Sequence, residues 1–116
     1  MKNAIILAAG KSSSFAPFTY ERPKGLFCVK GEILIERQIE QLHKAGIYEI
    51  YVVVGYMKEK FFYLEEKYGV VLLVNNQFSL KGNLYSLFVA RNYLQDTFIC
   101  CGDHYFLENP FLDENE

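Results

Sequence analysis

Four short apolar runs, near residues 3–7, 49–54, 70–74 and 97–101, punctuate the chain and are separated by stretches with helical spacing. Each run is too uniformly apolar to be half exposed, the pattern of parallel strands covered on both faces. Between residues 34 and 44, Ile35, Ile39 and Leu42 fall on one helical face, Glu36, Arg37 and Glu40 are expected to face water, and Gly46 provides a stop. A second helix is expected over residues 58–67, with Phe61, Leu64 and Tyr68 at helical spacing and Gly69 ending it. A third starts near Asn83, a good N-cap, and carries Leu84, Leu87, Phe88 and Arg91 toward Leu94.

Strands alternating with helices predict an α/β domain built on a Rossmann-like open sheet, three layers deep. Ligands of such sheets sit beyond the carboxyl ends of the strands, where residues 8–10, Gly55-Tyr56, Asn75-Asn76 and Gly102-Asp103 would gather. With no internal repeat and no low-complexity linker, residues 1–116 read as a single domain or part of one.

Composition changes this picture little. The chain is 51% hydrophobic, enough for one core that removes roughly two-thirds of the unfolded surface. Its net charge of −2 hides an acidic end: Glu108, Asp113, Glu114 and Glu116 all lie in the last nine residues, and without them 12 basic groups face 10 acidic ones. No clustered basic stripe marks a nucleic-acid binder, so a small ligand is expected. No apolar run approaches the ~20 residues that cross a bilayer, and Met1-Lys2-Asn3 opens too short an apolar stretch for a signal peptide. No membrane partner and a cytoplasmic location are the expectation. The three cysteines, Cys28, Cys100 and Cys101, offer no disulfide framework and are expected as buried, reduced thiols. His43 and His104 lack the spacing of a Cys-His metal site. The nine Tyr and ten Phe are expected mostly in the core, with Tyr56 alone placed to line a pocket.

The chemistry is concentrated after the first strand, in LAAGKSSSFAPFTYERPK, residues 7–24. Small residues (Ala8, Ala9, Gly10) and the hydroxyls of Ser12, Ser13 and Ser14 let backbone N–H groups crowd an anion. Pro23 fixes the approach to Lys24, a cation placed to reach the same phosphates. Gly10-Lys11-Ser12 looks like the end of a P-loop, but the position five residues before Gly10 is Ile5, inside the strand. A dinucleotide fingerprint would need glycines where Ser12 and Phe15 stand.

These residues resemble the nucleotidyltransferase family that activates sugar phosphates and phosphocholine, the sugar-nucleotide pyrophosphorylase type. Its opening motif, Leu-Ala-Ala-Gly, small residues, an arginine, a proline and then Pro-Lys, is matched by Leu7 to Gly10, Pro17 and Pro23-Lys24. Its second block is matched by Leu26, Val29, Gly31, Leu34, Ile35, Gln38, Leu42, Ala45 and Gly46, and its metal-binding turn by Gly102-Asp103. The wording GLFCVKGEILIERQIEQL, VVVGYMKEKFFYL and VNNQFSLKGNLYSL is most similar to the bacterial phosphocholine cytidylyltransferase branch. One departure stands out: Ser14 occupies the place of the family's loop arginine, and a hydroxyl does not replace a bidentate guanidinium.

The resemblance implies a nucleotide-diphospho-sugar transferase fold of which this chain matches the N-terminal portion. It also implies transfer of a nucleotidyl group, CMP from CTP, to a phosphorylated acceptor such as phosphocholine, with release of pyrophosphate. Such a reaction gathers anions, so it needs cations and oriented donors more than a general base. Lys24 suits the α-phosphate and the transition state, and Lys11 the β- and γ-phosphates unless it is simply solvated. Asp103 suits Mg²⁺, which takes one or two carboxylates plus phosphate oxygens. The base would be read by Leu7, Ala8 and Ala9 through their backbone and by Asn76, Gln77, Asn83 or Ser86, Asn83 being equally fit as a helix cap. A sugar 1-phosphate acceptor and a silent nucleotide-binding or assembly module are the alternatives. An uncovered sheet edge would favour a homodimer.

Overall fold

The computed structural model describes residues 2–9, 24–26, 28–75, 86–94, 96–102, 106 and 108–111. Four strands, β1 (Lys2–Ala8), β4 (Ile50–Val54), β5 (Val71–Val74) and β6 (Asp96–Cys101), form one parallel sheet in the order β5-β4-β1-β6. A two-stranded antiparallel ribbon, β2 (Cys28–Val29) with β3 (Glu32–Ile33), leads directly into helix α1 (Leu34–Lys44). The order moves outward from β1 to β4 and β5, then returns to the other side of β1 for β6. That reversal makes the carboxyl end of β1 the switch point where open α/β sheets bind ligands.

Alternation along each strand divides the core in two. Ala4, Ile6, Val52, Val54 and Cys100 face α1 and pack with Ile35, Ile39, Leu42, Phe61 and Leu64. Ile5, Leu7 and Val53 point the other way, toward Ala90 and Leu87. Residues 86–89 are helical, so helices cover both faces as the sequence pattern predicts. The expectation that every strand is covered on both faces fails at the rims. Val71 is 46% and Ile99 48% exposed, because β5 and β6 are edge strands and the second cover reaches little beyond β1 and β4.

Helix α1 ends as its glycine predicts. Gly46 has φ 82°, its N–H donates to the His43 carbonyl (3.0 Å), and Ile47 N–H donates to the Leu42 carbonyl (2.9 Å). This Schellman closure puts Ile47 in the core above Leu42. The second helix is shorter than the expected 58–67: a 3₁₀ turn (Lys58–Phe61) is followed by α2 (Tyr63–Tyr68), with Gly69 at φ 74° closing it. The third is also broken, residues 86–89 being followed by a 3₁₀ turn at Arg91–Tyr93, and Asn83 lies outside the described residues.

Two expectations about side chains are overturned. Glu36 is buried rather than solvated: it accepts hydrogen bonds from Tyr63 Oη (2.5 Å), Tyr68 Oη (2.8 Å) and Lys67 Nζ (2.9 Å). Burial pushes its carboxyl up, but those three donors and the Lys67 charge outweigh burial and hold it below the usual carboxylate range. Burial, with Glu36 beside them, pushes both tyrosines well above theirs. The cysteines differ too. Cys100 is buried and its thiol pushed up to about 12 by burial, whereas Cys28 is exposed on the β2–β3 ribbon. Among the described residues no helix is long and apolar enough to cross a membrane.

Candidate functional site

The four parallel strands end at one rim, and backbone hydrogen bonds extend the ladder past their last residues. Gly102 N–H donates to the Leu7 carbonyl (3.0 Å), Tyr56 N–H to the Ala9 carbonyl (3.0 Å), and Asn75 N–H to the Val54 carbonyl (2.7 Å). Leu7 and Ala9 are therefore buried and fixed by their neighbours, with Ala8 between them half-buried, and the segment that begins at Gly10 departs from a rigid base. Tyr56, the aromatic expected at the pocket, sits half-buried on this rim.

Gly102 closes the floor. A Cβ there would meet Ile6 Cγ2 at 3.3 Å, Ala8 Cβ at 3.4 Å and Ile35 Cδ1 at 3.4 Å, so a glycine lets β6 lie this close to β1 and α1. Against it rests the 3₁₀ turn Lys24–Leu26. A Cβ on Gly25 would lie 3.4 Å from the Gly102 carbonyl oxygen and 3.7 Å from the Phe61 ring, while Leu26 is buried in the core and anchors the turn. The backbone of Lys24 is thereby held beside the strand end that precedes Asp103.

On the far side of the rim, Asn75 and Ser86 are both fully buried, and Asn75 Nδ2 donates to Ser86 Oγ (2.9 Å). The bond ties together the two ends of residues 76–85. Ser86, expected as a reader of the base, thus has the Asn75 amide as a partner. Lys11, Gly10, Ser12, Ser13, Asn76, Asn83 and Asp103 lie outside the described residues, as do Ser14, Gln77 and His104. Among the described residues no three His, Cys, Asp or Glu come together as a metal site.

Helix α1 supplies polar contacts that periodicity missed. Gln38 is fully buried and its Nε2 donates to the Cys101 carbonyl (2.7 Å). Arg37, expected in water, reaches the Phe106 carbonyl through Nε (3.2 Å) and Nη2 (2.8 Å) and pairs with Glu32 through Nη1 (2.6 Å). The available signal was Gln38 itself, an amide on the apolar stripe between Ile35 and Leu42.

A parallel sheet whose switch strand ends in small residues, with the Lys24–Leu26 turn resting on the neighbouring strand end, is the frame of an open α/β domain with its ligand rim at that end. Residues 4–114 match the MobA-like NTP transferase domain, and the chain belongs to that family. It is 42% identical over 111 residues to a choline-phosphate cytidylyltransferase of Streptococcus pneumoniae, covering 96% of this chain and 48% of that protein. It is 47% identical over 104 residues to a 2-aminoethylphosphonate cytidylyltransferase of Lancefieldella rimae, covering 87% of this chain and 42% of that one. The solved CTP:phosphocholine cytidylyltransferase of Streptococcus pneumoniae superposes with a TM-score of 0.93 over 97% of this chain and 50% of its own. The chain thus spans about half the length of the relatives it matches, and the expected nucleotide-diphospho-sugar transferase fold is the observed one over that half.

Proposed function

We propose that this chain forms the nucleotide-binding part of a Mg²⁺-dependent cytidylyltransferase, which moves CMP from CTP to a phosphorylated acceptor and releases pyrophosphate. The observation that carries the reading is the seating of the Lys24 turn on Gly102, beside the end of β1. It supports this reading because Lys24, the strand end that precedes Asp103 and the strand end that precedes the small-residue loop meet at one rim. The 42% and 47% identities to two cytidylyltransferases support CTP as the nucleotide.

In this reading the backbone of Leu7, Ala8, Ala9 and Gly10, with the hydroxyls of Ser12 and Ser13, cradles the triphosphate. Lys24 neutralises charge developing at the α-phosphate, and Lys11 accompanies the departing pyrophosphate. The attacking phosphate oxygen is already ionised, so orientation and charge neutralisation do most of the catalytic work. Asn76 and Asn83 flank the base, and Ser86, fully buried, serves it indirectly by accepting the Asn75 amide hydrogen bond that ties the ends of residues 76–85. Asp103 is a hard oxygen donor following the tightly packed Gly102, which fits Mg²⁺ with phosphate oxygens completing its shell. Bound there, Mg²⁺ would offset phosphate charge.

Two acceptors follow from the relatives: phosphocholine and 2-aminoethylphosphonate, both carrying an anionic phosphorus group and a cationic nitrogen. The deciding experiment is pyrophosphate release by the natural-length protein with CTP or UTP and each of these acceptors or glucose 1-phosphate. CTP with one cationic acceptor is the expected pair, and Lys24→Ala and Asp103→Ala should each lower turnover by roughly 10²-fold or more. Release only with a sugar 1-phosphate, or nucleotide binding with no release, would replace this reading by one of its alternatives.

A further inference from the structure

One connection, from the end of β4 to the start of α2, braces the rim at two places. At its start, Tyr56 N–H donates to the Ala9 carbonyl (3.0 Å) and fixes the residue that follows β1. At its far end, Phe61 is fully buried, and its Cε1 lies 3.7 Å from where a Cβ on Gly25 would stand. Between the two, the chain reverses through Met57, whose φ of 52° and ψ of 43° are left-handed. A side chain adopts that conformation only where its surroundings impose it. Lys58 N–H donates to the Gly55 carbonyl (3.1 Å) and Lys60 N–H to the Met57 carbonyl (3.0 Å), so the reversal is fastened on both sides of Met57.

Gly25 follows Lys24 in the same 3₁₀ turn, and that turn has three supports. Leu26 enters the core, the Gly102 carbonyl oxygen stands 3.4 Å from the Gly25 Cβ position, and the Phe61 ring closes the remaining side. The first belongs to the turn itself and the second to β6; the ring alone comes from the connection that also holds Ala9. A fully buried phenyl ring is a stiff support, because close packing leaves its two side-chain torsions nowhere to go. Stiffness matters under a lysine that meets developing charge at a phosphorus atom, where a displacement of about 1 Å can cost about 10²-fold in rate.

We infer that Phe61 is a positioning residue for Lys24: its ring sets the place of the Gly25 backbone, and with it that of the Lys24 backbone, at the rim. The inference rests on the reading of Lys24 given above and deepens it. A smaller side chain at position 61 should let the turn settle into the space the ring leaves. The chemical step then slows while CTP still binds at the end of β1.

The test uses the natural-length protein with CTP, Mg²⁺ and, in parallel, phosphocholine or 2-aminoethylphosphonate. Pyrophosphate release is timed with the enzyme in excess over CTP, the CTP half-saturation concentration is taken from steady-state rates, and stability from thermal melting. Phe61→Leu is expected to slow release roughly tenfold and to leave CTP half-saturation within about twofold. Phe61→Met should slow it about threefold, and this variant carries the test if Phe61→Leu does not fold. Ile50→Val, in the same core at the opposite end of β4, should stay within about twofold whatever it loses in melting temperature. The sharpest comparison adds the Phe61 substitution to Lys24→Ala. With the lysine gone, a residue that acts through it has nothing left to misplace, and the further loss should stay within about twofold. Equal losses in both backgrounds, or a Phe61 effect no larger than that of Ile50→Val, would overturn the inference. If Lys24→Ala leaves release unchanged, or neither acceptor supports release, the reading of Lys24 falls and the inference with it. A slowed Lys24→Ala beside unaffected Phe61 variants removes the inference alone.

Discussion

Glu36 and Gly102 carry opposite lessons about single positions. Gly102 is defined by what surrounds it: three side chains stand within 3.4 Å of where a Cβ would be. Gly102→Ala should therefore cost about 1–3 kcal/mol by overpacking, seen as a lower urea midpoint at unchanged slope. Glu36 is defined by partners 27 to 32 residues away in sequence, which explains why a helical-face argument sent it to solvent. Glu36→Ala leaves the Tyr63 hydroxyl and the Lys67 ammonium without this acceptor and the Tyr68 hydroxyl with Glu40 alone, at a cost of about 1–3 kcal/mol. The pH dependence has a definite sign. A carboxyl held below its ordinary value of 4.5 stabilises the fold above that value, and this contribution disappears as pH falls through the lower folded-state value. Melting curves between pH 7 and 3 should show a smaller acid-side loss in Glu36→Gln than in the unsubstituted chain.

Regular elements were legible in proportion to their length and apolar regularity. The four parallel strands and α1 appear where period and glycine punctuation predict them, within a residue or two at their ends. The β2–β3 ribbon was invisible, since two-residue strands hold no period to detect. Its turn is a two-residue I′ type with Lys30 at φ 52° and Gly31 at φ 82°, and lysine is a poor occupant of the first left-handed position. Lys30→Asn or Lys30→Gly should stabilise the chain by roughly 0.5–1 kcal/mol, measurable as a rise in Tm of a few degrees. Of the candidate site, the strand end Leu7 to Ala9, the Lys24 turn and Gly102 could be read from a motif, because each depends on small or rigid residues at fixed spacing. The contacts of Arg37 and Gln38 could not, because their partners are mostly backbone carbonyls, which have the same chemistry in every residue.

At the scale of the whole molecule, the sheet is unevenly covered. Ile5 and Ile99 are register partners on one face, yet Ile5 is fully buried and Ile99 is 48% exposed. In the 116-residue chain, Ile99→Lys should shift the unfolding midpoint by no more than about 0.5 kcal/mol, whereas Ile5→Lys should prevent folding. If Ile99→Lys proves as damaging as a core substitution there, β6 is covered by a second copy. The relatives, about twice as long as the matched region, give that comparison its interest.

Strand β1 precedes every other strand in the chain, yet it is clasped between β4 and β6, whose last residues are Val54 and Cys101. During synthesis at ~5–20 residues per second, the strand that launches the phosphate loop waits roughly 5–20 s for its second neighbour. The rim at which β1 ends is consequently complete only after β6 has emerged. A nascent chain paused before β6 exposes β1, an inner strand of the finished sheet, as a bare apolar edge in addition to β5, so chaperones should matter in this interval.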